Sequence, residues 1–217
     1  MSGRASAELA SATPLLIFPC NGNGIEALDC LGDAYRCIGF VDDTPEKRGT
    51  DRYGHPVLDR SALTEIPGAH VLAVPGGPAS YRARRAIIDG LQIDERRFAT
   101  VVHTAARVSP HAVIGYNVLI MAGVVITSNA VIGNHVCVLP NSVIHHDVRI
   151  GAWTLVGSNV TIAGNTIVGD NCYIGSGASL MNNLEIGEGS LVGLASNVIR
   201  NVTAGSKVAG NPARRIP

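Results

Sequence analysis

The residues best suited to chemistry stand together at His145, His146 and Asp147. A carboxylate beside an imidazole fixes its tautomer and raises the basicity of the other ring nitrogen, which is what a general base near neutral pH needs. Successive side chains of a flat strand point to opposite faces, so Asp147 can orient His146 only where the chain bends. The motif therefore predicts His146 as a base at a bend, although two surface histidines beside an acid would have the same sequence.

Gly164 stands eighteen residues after His146, between Ala163 and Asn165. A glycine amide carries no shielding side chain and can face a developing oxyanion, so Gly164 is a candidate donor. A second series has the same spacing and predicts a smooth groove suited to an extended pantetheine arm: Ser158, Ser176 and Leu194, preceded by Gly157, Gly175 and Gly193. Both series are also what a repeating fold needs to close its corners.

A six-residue repeat from Val101 to Val202 positions these residues. Every sixth residue from 102 to 198 is aliphatic, and Leu180 is the single member of that series that is not β-branched. A strand of period 2 or a helix of period 3.6 does not produce this pattern. It indicates a parallel β-helix in which three hexads form one coil, so that residues eighteen apart stack on one edge.

The first hundred residues alternate between strand and helix. Strands are expected at 15–18, 37–41 and 70–74, with helices at 25–31 and from the turn at 75–78 to about residue 90, while 98–102 leads into the first coil. This order predicts a small doubly wound, Rossmann-like α/β domain. The predicted division is a flexible tail at 1–13, the α/β domain at 14–100, the β-helix at 101–205 and a C-terminal tail at 206–217.

Ligands of such α/β domains bind at the carboxyl ends of the strands, so the loops at 20–24, 42–45 and 75–78 should form one crevice. The first loop would present backbone N–H groups at a helix N-terminus, and an acid about twenty residues on suits a ribose hydroxyl. Because the loop lacks the GxGxxG pattern, a plain tight turn is an equal alternative, and the domain is too short for a full NAD site. The candidate substrate-binding residues are Asn21, Gly22, Asn23, Gly24, Asp42, Asp43 and Gly76.

Composition narrows the function classes. With 17 basic and 17 acidic residues, the chain shows no charge bias toward nucleic acid or an anionic membrane. The arginines between Arg82 and Arg97 are expected on a solvated helix face. The five cysteines lack CxxC spacing and predict free thiols in a reducing cytosol, and residues 1–13 lack the apolar core of a signal peptide. His103, His111 and His135 do not cluster at one position of the eighteen-residue coil, so no metal site is expected.

At this point the residues resemble a known family. The hexad array, the segment from Val143 to Gly151, the Ala163-Gly164-Asn165 triplet and the closing segment from Ala209 to Arg214 are similar to bacterial sugar acetyltransferases of the sialic-acid O-acetyltransferase type. Relatives in that family N-acetylate nucleotide-linked 4-amino-sugars such as those leading to bacillosamine and perosamine. The repeat half carries most of the likeness, and the N-terminal half matches in layout and at Asp42-Asp43.

The resemblance implies a cytoplasmic homotrimer of left-handed β-helices with active sites between subunits. Acetyl-CoA, with no metal, would lie along the prism, and a nucleotide-linked sugar would reach it from the N-terminal domain. Under the resemblance, His146 is the base, Asp147 orients it and the Gly164 amide is the oxyanion donor. The positions where the family contacts coenzyme A are Leu155, Ser176 and Leu194, with Gly175 and Gly193 beside them.

Two departures bear on this expectation. The family's first loop usually contains Gly-x-Gly-Gly-His, whereas this chain has Asn21-Gly22-Asn23-Gly24 without a histidine, and Leu155 replaces a frequent histidine. The first departure bears on how the acceptor is bound and on which acceptor it is, and the second bears on one expected contact with acetyl-CoA. Two alternatives remain: a hexapeptide acyltransferase for a small non-nucleotide acceptor, and a non-catalytic β-helical assembly subunit.

Overall fold

The computed structural model describes residues 12–217. The tail expected at 1–13 therefore lies outside the described residues apart from its end, where Thr13 already begins the first strand and pairs with Tyr35. No helix in the described part of the chain is long and apolar enough to cross a membrane.

The N-terminal part is a five-stranded sheet built from β1 (Thr13–Phe18), β2 (Tyr35–Val41), β3 (Gly49–Thr50), β4 (Pro56–Leu58) and β5 (His70–Ala73). The strand order in the sheet is β3-β4-β2-β1-β5. All pairings are parallel except that of β3 with β4. The helices are α1 (Gly22–Glu26), α2 (Ala62–Glu65) and α3 (Arg84–Asp89), with 3₁₀ turns at Ala27–Cys30, Pro45–Lys47, Tyr81–Ala83 and Glu95–Arg97.

Three boundaries differ from the sequence-based expectation. The first helix begins at Gly22 rather than at residue 25, because Asn21 is its N-cap and accepts a hydrogen bond from the Gly24 amide at 2.8 Å. Strands β3 and β4 and helix α2 were not predicted, since they are only two to four residues long. The segment 98–102 is divided: Phe98 bridges to Val71 of β5, whereas Val101 already pairs within the β-helix.

The repeat folds into a triangular prism of two-residue strands. Each of the three faces of the prism is a sheet in which neighbouring strands pair in parallel. The first face holds Val101–Val102, Leu119–Ile120, Cys137–Val138, Leu155–Val156, Tyr173–Ile174, Leu191–Val192 and Lys207–Gly210. The second holds Arg107–Val108, Val125–Ile126, Val143–Ile144, Thr161–Ile162, Ser179–Leu180 and Asn197–Val198. The third holds Val113–Ile114, Val131–Ile132, Arg149–Ile150, Ile167–Val168 and Glu185–Ile186.

Within the repeat each strand pairs in parallel with the strand eighteen residues away, as Val143 does with Thr161, whereas Lys207 pairs with Leu191, sixteen residues before it. The aliphatic series points inward, and from Ile120 to Val198 every member is at most 2% exposed. Such parallel faces are typical of the left-handed β-helix of hexapeptide-repeat proteins. The segment 206–217, expected as a tail, instead extends the first face with Lys207–Gly210 and folds back as an antiparallel strand at Ala213–Ile216.

We name the prism edges by the faces that they join: the first edge joins the first face to the second, the second edge joins the second to the third, and the third edge joins the third to the first. The N-terminal sheet packs over the first face, where Leu15, Ile17 and Leu72 share an apolar cluster with Leu119 and Leu155. The second edge therefore lies on the opposite side of the prism from the N-terminal sheet.

Candidate functional site

His146 and Asp147 lie on the second edge, between Val143–Ile144 and Arg149–Ile150. Asp147 has a φ of 59°, in the left-handed region, so the chain bends at this residue. The bend brings Asp147 Oδ2 within 2.8 Å of His146 Nδ1, and both side chains are exposed. If Nδ1–H donates to the carboxylate, Nε2 is left free to accept a proton from a substrate.

The Asp147 carboxylate is held in its ionised form. The hydrogen bond with His146 is the main cause that lowers the pKa of Asp147, and a bond from Asn129 Nδ2 at 3.2 Å adds to it. An ionised carboxylate keeps the imidazole in one tautomer and stabilises the imidazolium that forms when His146 takes up a proton.

Gly164 lies one coil along, directly under the His146 ring. A Cβ built at position 164 would come within 2.6 Å of both Cε1 and Nε2 of His146, so a side chain there would displace the imidazole. At the same position of other hexads, the amides of Ala152 and Ser158 donate to side chains of the next coil. Among residues 12–217 the Gly164 amide makes no such bond, so it is available to an oxyanion.

The other predicted series lies on the first edge. The Ser176 hydroxyl accepts from the Ser158 amide at 3.0 Å, and a Cβ at Gly175 would fall 2.7 Å from the Leu194 nitrogen. These residues, like Gly157 and Gly193, let successive coils close against one another. Leu194 is 68% exposed and gives this edge an apolar surface.

Leu155 differs from its predicted neighbours in the coenzyme A group. It is 4% exposed and belongs to the apolar cluster between the first face and the N-terminal sheet. Its Cδ1 would lie 3.5 Å from a Cβ built at Gly76. Leu155 therefore offers a ligand almost no surface within one chain, and its apolar type suits this burial.

The three predicted loops of the N-terminal part do converge, and Asp42 is the residue that joins two of them. It is 2% exposed and accepts from the Cys20 amide at 3.0 Å, the Thr44 amide at 2.9 Å and Lys47 Nζ at 2.8 Å. Burial alone would raise the pKa of Asp42, but the hydrogen bonds from Lys47 and Thr44 outweigh it and lower the pKa. The carboxylate is thus occupied in holding the loops together.

The remaining crevice candidates have separate environments. Asp43 pairs with Arg60 at 2.6 Å, and Asn23 Nδ2 lies 3.5 Å from the Gly76 carbonyl, which brings the first and third loops together. Gly24 packs so closely on the Pro19 carbonyl that a side chain would collide with it, whereas Gly22 faces open space. Gly76 has a φ of 104° and packs against the stem of Arg84.

A set of contacts that the sequence did not predict runs along the third edge. Five residues spaced eighteen apart have positive φ and contact the segment from Ala73 to Arg85: Asn117, His135, Trp153, Asn171 and Gly189. We call this set the docking column. Positive φ is expensive for a bulky residue, so Trp153 in a place that Asn or Gly usually fills was the signal available in the sequence.

Two of the arginines expected on a solvated helix face, Arg84 and Arg82, serve this docking, whereas Arg85 and Arg96 are exposed as expected. Arg84 is fully buried and donates to the backbone carbonyls of His135, Trp153 and Pro75. Arg82 donates to the Gly189 and Gly205 carbonyls. The expectation was wrong for Arg84, whose side chain is buried among backbone carbonyls, whereas Arg82 is exposed and also reaches the backbone of the β-helix.

Metal ligands do not assemble in the described residues: no three His, Cys, Asp or Glu side chains between 12 and 217 come together as a candidate metal site. All five cysteines are free thiols. The second edge itself presents an imidazole, a carboxylate and a backbone amide, those of His146, Asp147 and Gly164.

Comparison with known proteins agrees with this architecture. The family model "Bacterial transferase hexapeptide (six repeats)" matches residues 111–146 and 129–164. No curated protein sequence matches the chain.

Several solved structures share the fold over nearly the whole chain. The acetyltransferase domain of PglB from Neisseria gonorrhoeae is 26% identical, covers 94% of this chain and 99% of its own, and has a TM-score of 0.80. WeeI from Acinetobacter baumannii is 25% identical with coverage of 95% and 100% and a TM-score of 0.81. A mutant of perosamine N-acetyltransferase from Caulobacter crescentus, in complex with CoA and GDP-perosamine, is 23% identical with coverage of 95% and 98% and a TM-score of 0.83. The resemblance to hexapeptide-repeat sugar acetyltransferases is confirmed.

Proposed function

We propose that this hexapeptide-repeat chain is an acetyl-CoA-dependent acetyltransferase that acts on an amino or hydroxyl group of a nucleotide-linked sugar in bacterial surface-glycan biosynthesis. The observation that carries the proposal is the placement of His146, oriented by Asp147, above the free amide of Gly164. The shared fold supports it, because the PglB domain has been solved with acetyl coenzyme A and the Caulobacter enzyme with CoA and GDP-perosamine.

In the proposed reaction, the acceptor nitrogen or oxygen attacks the thioester carbonyl of acetyl-CoA while His146 Nε2 takes its proton. The carbonyl oxygen becomes an oxyanion, which the Gly164 amide stabilises with a hydrogen bond. Collapse of the tetrahedral intermediate breaks the carbon–sulfur bond, and His146 returns the proton to the departing thiolate. The products are the acetylated sugar and coenzyme A, and Asp147 stabilises the imidazolium between the two proton transfers.

We assign the acceptor to the Rossmann-like N-terminal crevice and the coenzyme arm to the surface of the left-handed prism. Residues 21–24, Asp42, Asp43 and Gly76 would shape the crevice, in which Asp42 acts by holding loops rather than by touching a ribose. Ser176, Leu194 and the glycines beside them would line the coenzyme groove, with Leu155 beneath it as packing.

We further propose a homotrimer with its active sites between subunits. In one chain the base is on the second edge, the proposed coenzyme groove is on the first edge and the acceptor crevice lies over the first face. A neighbouring copy that presents its first edge and its crevice to the second edge would complete the site. We place the reaction in the cytoplasm, where acetyl-CoA is made and where free thiols persist.

The test is a screen of nucleotide-linked amino- and hydroxy-sugars with acetyl-CoA, followed by release of free thiol. His146→Ala should leave the oligomer folded and lower turnover at least ~100-fold, the lower range for loss of a general base. His111→Ala, an exposed histidine on the same edge, is the matched control and should retain wild-type turnover. Turnover of His146→Ala near the wild-type value would rule out the assigned base.

A further inference from the structure

Arg84 is the one fully buried arginine in the described residues, and no carboxylate pairs with it there. Its Nε donates to the Trp153 carbonyl at 2.9 Å, Nη2 to the His135 carbonyl at 2.6 Å and Nη1 to the Pro75 carbonyl. A buried charge without a counter-ion is costly, and the dipoles of three carbonyls are its only polar partners in this part of the structure. The free-energy cost of burying this charge indicates that the guanidinium has a role that a neutral side chain could not fill.

The three carbonyls belong to separate parts of the molecule. His135 and Trp153 stand on consecutive coils of the third edge, eighteen residues apart, and Pro75 begins the third loop of the N-terminal crevice. The next residue, Gly76, packs on the Arg84 stem. The carbonyl oxygen of Gly76 lies 3.5 Å from Asn23 Nδ2 in the first loop. Arg84 therefore connects two coils of the β-helix to two loops of the crevice.

We propose that Arg84 is a positioning residue for the acceptor: its guanidinium ties the Pro75–Gly76 loop to two coils of the β-helix and so determines where the crevice presents its ligand. The inference rests on the proposed function for the identity of the ligand. Its physical reason is that group transfer needs reacting atoms about 3–3.5 Å apart, and an error of about 1 Å can cost about 100-fold in rate.

The planar guanidinium is suited to this task. It donates in three directions from one rigid group, whereas a lysine ammonium on a flexible stem cannot span three fixed carbonyls with the same geometry. Around it, the His135 ring stacks on Trp153 with ring centroids 5.5 Å apart, and His135 Nδ1 accepts from Asn117 Nδ2 at 2.9 Å. The same Asn117 side chain bonds the Ala73 backbone at the end of β5. The frame to which Arg84 is tied is thus itself fixed by packing.

Arg97 offers a matched control. It also donates to three backbone carbonyls, those of Leu63, Ile66 and Ala69, at 2.7 to 3.1 Å. All three lie within the N-terminal part, so Arg97 stabilises that part without joining it to the β-helix. Arg97→Lys should therefore reproduce the loss of carbonyl bonds without the loss of the tie.

The experiment compares Arg84→Lys and Arg84→Met with Arg97→Lys in two measurements. In steady-state kinetics with acetyl-CoA and the nucleotide-linked sugar, both Arg84 variants should lower kcat/KM for the acceptor at least about tenfold while leaving the KM of acetyl-CoA within about twofold. In hydrogen exchange of the wild type and variants, amides in 74–80 and 21–26 should exchange faster only when Arg84 is replaced.

Each outcome decides a separate question. Unchanged kcat/KM for the acceptor and unchanged exchange in Arg84→Lys would overturn the inference, and so would an equal effect of Arg97→Lys, which would indicate general loosening. If Arg84→Met does not fold, Arg84→Ala supplemented with methylguanidine keeps the test, because a positioning role predicts recovery of kcat/KM for the acceptor with the added cation. A wild type that transfers no acetyl group to any sugar would reject the proposed function alone, and the exchange data would still test the tie.

Discussion

The Gly164 backbone lies directly beneath the His146 imidazole, so close that an added Cβ would be 2.6 Å from two ring atoms. The two residues are eighteen apart in sequence and one coil apart in the prism, with the Asn165 amide donating to the His146 carbonyl at 3.1 Å. The repeat therefore places residue 164 below the ring, and the glycine at that position leaves the space free of a side chain. This relationship makes position 164 a sensitive place to test the site.

Gly164→Ala should lower turnover at least about tenfold without unfolding the protein. The methyl group would push the imidazole away from Asp147 and cover the amide that faces the oxyanion, and loss of one oxyanion donor alone typically costs about 100-fold or more. Steady-state kinetics and thermal unfolding measure the two effects. Gly68→Ala is the control, since a Cβ there meets nothing within 4 Å. Wild-type kcat in Gly164→Ala would contradict the assigned geometry.

The β-helix was the most predictable part of the fold because its signal repeats. Ile144 and Ile162 are interior and eighteen apart, as the period requires, and the bend at Asp147 follows from the same period. Once the coil length of eighteen residues is known, it predicts directly that His146 stacks on Gly164. Because an inward aliphatic residue recurs at every sixth position over six coils, single exceptions do not obscure the pattern. The hexads were therefore located correctly from the sequence.

The docking of the two parts could not be predicted in the same way. Arg84 sits in an Arg-rich segment that, by composition, suits water, and its burial depends on carbonyls 51 and 69 residues away. Similarly, Asp42 has the spacing of a ribose ligand, but its carboxylate is taken up by Lys47 and two backbone amides. The burial of Arg84 and the partners of Asp42 depend on which groups distant in sequence come into contact. The pattern of a single sequence does not predict those contacts.

Leu194→Glu should raise the KM of acetyl-CoA at least about tenfold while leaving the KM of the acceptor unchanged. Leu194 is 68% exposed on the first edge, where a pantetheine arm would bury it, and a carboxylate there would have to be desolvated for the arm to bind. Initial rates at varied acetyl-CoA measure the effect. Tyr53→Glu, which alters another exposed apolar side chain, is the control. An unchanged KM for acetyl-CoA would place the coenzyme elsewhere.

His135 should make the protein less stable in acid. Burial lowers the pKa of His135 to about 4, with the nearby Arg84 charge as a second cause. The unfolded chain, with a histidine pKa of about 6.5, binds a proton between pH 6.5 and 4 that the native state does not, so the free energy of unfolding falls as pH decreases through that window, by up to about 1.4 kcal/mol per pH unit.

His135→Asn tests this linkage, because asparagine tolerates the φ of 61° at this position and cannot titrate. The variant should be less stable than the wild type at pH 7, where it lacks the stacking on Trp153, yet lose less stability between pH 6.5 and 4. Urea unfolding at fixed protein concentration across that range measures both quantities, and holding the concentration constant keeps the contribution of subunit association comparable between the wild type and the variant. Equal pH slopes in the wild type and His135→Asn would show that another group controls the acid sensitivity. A reduced slope would show that protonation of the buried His135 imidazole is coupled to unfolding.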